Sequence, residues 1–272
     1  MWPELHDLLE RLAQQPAVLV RVERTQGSAP RRAGAWMAVF ADATVGTIGG
    51  GHLEWDAQQQ ARAHLAAQPT AAPAAWTQRT VLGPQLGQCC GGALELRFEP
   101  VLANDVERLR TALVPRLTPV ALFGGGHVGH AIVRALAPLP FEVHWIDSRD
   151  NVFAPDTPVH VRTEHSEPVQ GAVRDLAPGA HVLIMSFSHA EDLDLVAACL
   201  LRQRERADLP FVGLIGSRTK WVTFQRRLSA RGFTNDELAG ITCPIGLPGI
   251  TGKEPAVIAA SVAAQLLVHT GR

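Results

Sequence analysis

Hydrophobic and polar residues alternate in short runs over the first 114 positions, and this pattern predicts β-strands. The runs are AVLVRVER from Ala17, AWMAVF from Ala35, ATVGTIGG from Ala43, RTVL from Arg79 and ALELRF from Ala93. Apolar residues at helical spacing predict helices in PELHDLLERLA, HLEWDAQQQARAHLAAQ and NDVERLRTAL. We therefore predict a smaller α+β domain over residues 1–114, a connecting loop at 68–75 and a linker at 114–119.

From residue 119 the pattern changes to strand, glycine turn, helix and strand. PVALF leads into GGGHVGHAIVRALA, FEVHWID follows, and the runs VALF, VLIM and FVGLI are apolar throughout. Such continuous apolar strands are typical of a parallel sheet that helices cover on both faces. We predict an α/β, Rossmann-like doubly wound domain over residues 119–272, with a long helix from about Glu191 and a closing helix from about Glu254 to His269.

A glycine fingerprint follows the first strand of this second domain. The motif GGGHVG covers residues 124–129, and Asp147 ends the next strand 23 residues after Gly124. In this motif Gly124 permits the tight turn, Gly126 lets a ligand approach the backbone, and Gly129 lets the helix pack on the strand. The helix that opens at His127 attracts an anion, and an acid such as Asp147 accepts hydrogen bonds from a ribose. We expect a phosphate-bearing ligand here. The alternative is a scaffold with an empty crevice.

Further polar groups follow the other predicted strands, where the carboxyl ends of a parallel sheet converge on one crevice. They are Ser186, Ser188 and His189, then Ser217, Arg218 and Lys220, then Thr251, Gly252 and Lys253. Of these we assign Ser217, Arg218 and Lys253 to the ligand site, because helix starts with cationic side chains suit an anion. Ordinary helix capping is the alternative for each residue taken alone.

Two glycine-rich loops mark the first domain. Gly49, Gly50 and Gly51 lie between a strand and a helix, and a second loop carries Gln88, Cys89, Cys90 and Gly91 between two strands. The flanking glycines leave one thiol approachable, so that a thiolate at Cys89 or Cys90 could bind a soft metal held in a cofactor, or handle sulfur. The alternative is a tight turn with two buried thiols.

Composition excludes several classes of protein. Of 272 residues, 46% are hydrophobic and 19% charged, which excludes a disordered chain, and a net charge of -1 argues against nucleic-acid binding. No run reaches the about 18 apolar residues of a membrane span, and the N-terminus lacks the basic and apolar runs of a signal peptide. Four cysteines are too few for a disulfide scaffold, so we expect a cytoplasmic protein.

Several motifs together resemble the XdhC/CoxI family. They are GSAPRRAGAWMAV, GTIGGGHLE, LGPQLGQCCGG, LFGGGHVG, WIDSRD, GLIGSRTK and CPIGLPGITGKEPAVIAAS, in this order between about residues 10 and 268. The resemblance implies a chaperone that is not itself an enzyme. It would bind the molybdenum cofactor (molybdopterin), protect it while a cysteine desulfurase supplies its terminal sulfur, and assist its insertion into apo-xanthine dehydrogenase for purine catabolism. It also implies a homodimer, with Cys89 or Cys90 near the molybdenum.

The residues alone leave two enzymatic alternatives open. An NAD(P)-dependent oxidoreductase would use the fingerprint and Asp147, although no convincing acid/base pair accompanies them. A nucleotide-transferring enzyme would act on the phosphate of the pterin, and would need acidic Mg²⁺ ligands. The ligand of each glycine loop also stays open, because the crevice could hold a nucleotide while the pterin binds between the domains.

Overall fold

The computed structural model describes residues 3–67, 74–82, 91–114, 116–153, 155–158 and 161–271. Most of the loop predicted at 68–75, and with it Gln88, Cys89 and Cys90 of the cysteine loop, lies outside these residues. The chain divides into two compact units, Met1–Val114 and Pro115–Arg272. Among the described helices, none combines the length and the apolar character that crossing a bilayer requires.

The N-terminal unit contains one antiparallel sheet in the order β3-β2-β1-β5-β4. Its strands are β1 (Ala17–Gln26), β2 (Trp36–Val39), β3 (Thr44–Gly46), β4 (Trp76–Val81) and β5 (Ala93–Val101). Its helices are α1 (Pro3–Leu12), α2 (Gly51–Ala66) and α3 (Val106–Ala112). Residues of β1 alternate between two cores, because successive side chains of a strand face opposite sides: Val18 and Val20 pack in the cluster with α2, and Leu19 packs in the cluster with α1 and α3.

The C-terminal unit contains six parallel strands in the order β11-β10-β9-β6-β7-β8. The strands are β6 (Thr118–Phe123), β7 (Phe141–Asp147), β8 (Val161–His165), β9 (His181–Ile184), β10 (Phe211–Leu214) and β11 (Ile241–Thr242). The helices are α4 (His127–Leu136), α5 (His189–Arg206), α6 (Arg218–Ala230), α7 (Asn235–Ala239) and α8 (Pro255–His269), with a 3₁₀ segment at Val169–Asp175.

Helices cover both faces of this sheet, as the apolar strands predict. Ala121 and Phe123 of β6 pack in one cluster with α5 and α6, while Val120 and Leu122 pack in the other with α4 and α8. The strand order is that of a Rossmann fold, and its switch point falls between β6 and β9. The predicted fold class, a doubly wound parallel sheet with a separate α+β domain, is confirmed.

Two strands of the C-terminal sheet do not follow from the sequence pattern. At the sheet edge, β8 buries only Val161 of its five residues, so it lacks the apolar run that marks the central strands. At the opposite edge, β11 has only two residues.

In the N-terminal unit, strand β4 begins at Trp76, three residues before the predicted RTVL, because its whole length pairs with β5.

A buried histidine in the C-terminal unit predicts that the stability of the protein decreases in acid. His181 at the start of β9 is 6% exposed, and its Nδ1 has no hydrogen-bond partner in the described part of the chain. Burial lowers the pKa of His181, the electrostatic influence of His269 lowers it further, and a hydrogen bond with the backbone of Gly179 opposes both without cancelling them. The imidazole is therefore neutral in the folded protein at pH values where the unfolded chain already binds a proton.

We expect the free energy of unfolding to fall as the pH drops below about 6.5, the ordinary pKa of histidine. A His181→Phe variant, which keeps an aromatic ring beside Phe211, should show a shallower fall than the wild type between about pH 7.5 and about pH 5.5. Urea unfolding at both pH values measures this difference. A His189→Gln variant at the exposed start of α5 is the control, and parallel pH dependence of all three proteins would contradict the assignment.

Candidate functional site

The glycine turn between β6 and α4 is closely packed on its inner side. Gly124 has a φ of 128°, and a Cβ placed there would lie 2.1 Å from the carbonyl oxygen of Met185 after β9. A Cβ on Gly129 would lie 2.1 Å from the oxygen of Gly124, which also accepts a hydrogen bond of 2.9 Å from Trp145 Nε1. These two glycines therefore allow the helix and the switch-point strands to approach each other.

The outer side of the same turn is open. Gly126 and His127 are exposed, and a Cβ on Gly126 would meet no heavy atom within 4 Å. Gly126 is the N-cap of α4 and has no side chain that could accept hydrogen bonds from the first N–H groups of the helix. An anion could approach this backbone without displacing a side chain.

Asp147 lies against the turn, but its carboxylate is fully engaged by the chain. Its Oδ2 accepts hydrogen bonds from the Gly125 N–H at 2.5 Å and from Arg149 Nη2 at 2.9 Å. Its Oδ1 accepts from the Arg149 N–H at 2.8 Å and from Arg149 Nε at 2.9 Å. Burial raises the pKa of Asp147, but these hydrogen bonds outweigh burial and hold it below the ordinary value. The side chain thus locks the glycine turn as an ionised carboxylate.

Arg149 extends from Asp147 across the switch point. Its guanidinium carbon lies 4.5 Å from the ring centroid of Phe187, a residue after β9 that is 67% exposed. Glu191 of α5 accepts hydrogen bonds from the Phe187 N–H at 3.2 Å and from Ser148 Oγ at 2.7 Å. The guanidinium of Arg149 therefore lies over one face of the exposed Phe187 ring, next to the glycine turn.

A buried ion pair lies at the ends of β9 and β10. Lys220 Nζ is 2.6 Å from Asp192 Oδ2 and 2.8 Å from the oxygen of Ile215, and the two charged side chains are 10% and 3% exposed. Asp192 Oδ1 accepts from both the N–H and the Oγ of Ser186, at 2.9 and 2.7 Å. This network ties α5, α6 and the strand ends together.

The other predicted residues of this edge have simpler surroundings. Ser217 caps α6 by accepting from the Lys220 N–H at 3.1 Å, and Ser188 caps α5 by accepting from the Glu191 N–H. Arg218 and Lys253 are exposed, and within the described residues neither side chain has a hydrogen-bond or ion-pair partner. The structure thus brings the glycine turn and Asp147 into contact, while within the described ranges no hydrogen bond or ion pair joins Arg218 or Lys253 to them.

In the N-terminal unit three loops approach one another closely. Glu54 of α2 holds the glycine loop, since its Oε2 accepts from Thr47 Oγ1 at 2.5 Å and from the N–H groups of Ile48 and Gly50 at 3.0 Å each. A Cβ on Gly49 would lie 2.7 Å from the Cβ of Pro30 in the loop after β1. Gly49–Gly51 and the loop that carries Pro30 are therefore in van der Waals contact.

The third loop is the one that carries the paired cysteines. Its last glycine, Gly92, is so close to the loop after β1 that a Cβ there would lie 2.3 Å from the oxygen of Ser28. Gly91 is exposed, and a Cβ on it would meet nothing within 4 Å. Arg31 and Arg32 are exposed in the same region, and neither guanidinium has a partner among residues within the described ranges.

The two cysteines of the C-terminal unit are poor thiolates. Burial raises the pKa of Cys199 to about 12. Burial likewise raises that of Cys243 to about 11, although the positive charge of Lys220 opposes this. Where the structure describes the chain, no three His, Cys, Asp or Glu side chains are grouped so as to hold a metal ion.

Sequence reasoning missed Arg149, Phe187, Asp192 and Glu191 as parts of the crevice. Arg149 and Phe187 each lie within a few residues of the end of a predicted strand. That position is the sequence signal that could have identified them. The two acids lie in the first turn of α5, where their type suggests only helix capping.

Comparisons with known proteins agree with this architecture. A family model described as the XdhC Rossmann domain matches residues 120–266, and a model described as the XdhC and CoxI family matches residues 11–73. The uncharacterized protein YqeB of Escherichia coli (strain K12) is 30% identical over 259 residues, which is 93% of this chain but 43% of that protein. The chain thus spans less than half the length of this curated relative.

A solved structure has the same fold over nearly the whole chain. It is a protein of Bacillus halodurans described as a xanthine dehydrogenase, determined by crystallography at 2.80 Å resolution. It is 21% identical, with a TM-score of 0.76 over 98% of this chain and 96% of that one.

Proposed function

The chain belongs to the XdhC and CoxI family, and on that premise we propose that it is an accessory protein for xanthine dehydrogenase rather than an enzyme. It binds the molybdenum cofactor, a pterin dithiolene with a terminal phosphate, and protects it while a cysteine desulfurase supplies the terminal sulfur ligand. It then assists insertion of the cofactor into apo-xanthine dehydrogenase. The protein acts in the cytoplasm as a homodimer.

The observation that carries this proposal is the close approach of three loops in the N-terminal unit. The loop after β1, the glycine loop Gly49–Gly51 and the end of the cysteine loop are so close that added Cβ atoms would collide. Gly50 and Gly91 in these loops leave open backbone that a flat ring system can approach, since a Cβ on either would meet nothing within 4 Å. Two exposed guanidinium groups that have no partner in the described ranges suit a phosphate monoester. The residues therefore fit a pterin phosphate. Arg31 and Arg32 would hold its phosphate, and the glycine backbone would lie along its rings.

The sulfur and metal chemistry belongs to the cysteine loop in this proposal. When bound, the cofactor supplies a molybdenum centre that accepts a terminal sulfur. Cys199 and Cys243 remain protonated near neutral pH, because burial raises the pKa of each thiol to about 12 and about 11. Cys89 and Cys90 are the remaining thiols of the chain, and one of them would lie near the metal.

The test is retention of molybdenum cofactor by the purified protein under anaerobic conditions, followed by activation of apo-xanthine dehydrogenase. An Arg31→Gln/Arg32→Gln double variant should retain the cofactor about 10- to 100-fold less tightly, because charge-assisted hydrogen bonds to the phosphate are lost. Cys89→Ala or Cys90→Ala should impair retention or sulfuration and leave the fold intact.

Matched controls remove the same groups elsewhere. An Arg11→Gln/Arg110→Gln double variant removes two charges from half-buried helical positions of the same unit, and Cys243→Ala removes a thiol from the other unit. Both controls should behave as wild type. The proposal fails if wild-type protein does not retain the cofactor, and the site assignment fails if the test and control variants retain it equally.

A further inference from the structure

We propose that the crevice beside the glycine turn of the C-terminal unit binds an adenine nucleotide with a phosphate monoester on its ribose, as in NADP(H), in preference to NAD(H). The crevice is formed by the turn at residues 124–127, by Asp147 and Arg149 after β7, and by Phe187 after β9. It lies at the switch point, where open α/β sheets bind their ligands. All of these residues belong to one unit, so the proposal does not depend on where the pterin binds.

The carboxylate at the end of β7 is not available to a ribose. A carboxylate offers about four lone-pair directions, and NAD-binding domains use them for the ribose hydroxyls. In Asp147 four hydrogen bonds from Gly125 and Arg149 occupy the two oxygens, and the residue is only 2% exposed. A ribose hydroxyl could bind Asp147 only by breaking the lock on the glycine turn. The usual contact that selects NAD(H) is therefore absent.

The guanidinium beside this carboxylate still has donors to offer. Arg149 uses Nε and one N–H of Nη2 on Asp147, so about three of the five N–H groups of a guanidinium remain. In the ranges that the structure covers, these three have no other acceptor. A planar guanidinium fits the oxygens of a phosphate monoester, and an arginine at this place accommodates the 2′-phosphate in NADP-binding domains. Because Asp147 fixes the side chain in advance, little conformational entropy is lost on binding.

Phe187 provides a surface for the base. Its ring is exposed across the switch point from Arg149, and its backbone N–H is held by Glu191. Arg149 covers one face of the ring, and a base of any kind can stack on the other face. Asp147 also binds the Gly125 N–H, which adjoins the open backbone at Gly126 and the N-terminus of α4, where a diphosphate would follow the ribose.

The charges around the crevice are compatible with an anion. Its acids are Asp147, which Arg149 and the Gly125 N–H neutralise, and Glu191, which accepts hydrogen bonds from Ser148 and Phe187. Glu191 also lies close enough to raise the pKa of Arg149, so the attraction for an anion comes from the N–H donors that remain on Arg149 and from the helix N-terminus, and not from a net positive charge. The ligand that satisfies these groups together combines an aromatic base, a ribose phosphate and a diphosphate.

Titration calorimetry of the full chain with NADP⁺, NAD⁺, 2′,5′-ADP and 5′-AMP tests this proposal. We expect NADP⁺ to bind about tenfold or more tightly than NAD⁺, and 2′,5′-ADP to exceed 5′-AMP by a similar factor. In Arg149→Gln, NADP⁺ should bind almost as tightly as NAD⁺, and 2′,5′-ADP almost as tightly as 5′-AMP. Phe187→Ala should weaken all four ligands by a similar factor. Arg162→Gln, an exposed arginine of β8, should match the wild type.

Three results would overturn the proposal. They are binding of NAD⁺ as tightly as NADP⁺, an equal loss for both ligands in Arg149→Gln, and no binding of any of the four up to about 1 mM. If Arg149→Gln does not fold, Arg149→Lys keeps the charge beside Asp147 and loses the planar fork, so it should reduce the preference for the phosphorylated ligands. The comparison of NADP⁺ with NAD⁺ on wild-type protein needs no variant.

Discussion

The Gly124→Ala variant is expected to lose more than about 3 kcal/mol of unfolding free energy, or to leave the C-terminal unit unfolded. At a φ of 128° an alanine is strained even in open space. Here its Cβ would also lie 2.1 Å from the oxygen and 2.7 Å from the carbonyl carbon of Met185. Both are backbone atoms, so that no rotation of a side chain relieves the clash and β6 would have to separate from β9. Urea unfolding followed by circular dichroism measures the loss.

Gly126→Ala is the matched control two residues along the same turn. Its φ is -82° and its added Cβ would meet nothing within 4 Å, so its unfolding free energy should stay within about 1 kcal/mol of the wild type. The new methyl group would nevertheless point into the open side of the turn, where it should weaken nucleotide binding. Equal stability of the two variants would contradict the packing described for Gly124.

The fold class could be predicted because its signals are local. The apolar runs of β6, β9 and β10 and the glycine turn before α4 identify a parallel sheet without knowledge of distant contacts. Strand β8 could not be predicted in the same way. Only Val161 of this strand is buried, and its extended form depends on pairing with β7, which the sequence pattern does not contain.

The position of Asp147 in the crevice could also be predicted, but its state could not. The distance from Gly124 along the chain places an acid at the end of the second strand, as in nucleotide-binding domains. The carboxylate oxygens of Asp147 are occupied by hydrogen bonds because the Arg149 side chain turns toward them. The direction of Arg149 in turn depends on its contact with Phe187, 38 residues later. Side-chain rotamers set by such tertiary contacts leave no periodicity in the sequence.

The ion pair of Asp192 and Lys220 also depends on tertiary contacts that the sequence pattern does not contain. We expect that replacing one partner lowers the unfolding free energy strongly. Asp192→Asn keeps acceptors for the N–H and Oγ of Ser186 but leaves the ammonium of Lys220 almost buried without a counter-charge. Removing one partner of a buried pair costs about 3–5 kcal/mol, because the remaining charge is desolvated and unpaired. We expect a loss of this size in the unfolding free energy from urea titration at neutral pH.

Two further variants test whether the loss of stability comes from the buried charge. Asp194→Asn on the same helix removes a carboxylate whose partner Arg231 is 46% exposed, so we expect a change below about 1 kcal/mol. The double variant Asp192→Asn/Lys220→Met removes both buried charges and should recover most of the stability, since an apolar side chain then occupies the space of the ammonium stem. If the double variant is no more stable than Asp192→Asn alone, the unpaired ammonium is not the cause of the loss. If Asp192→Asn costs no more than Asp194→Asn, water reaches Lys220 and the pair is not buried in solution.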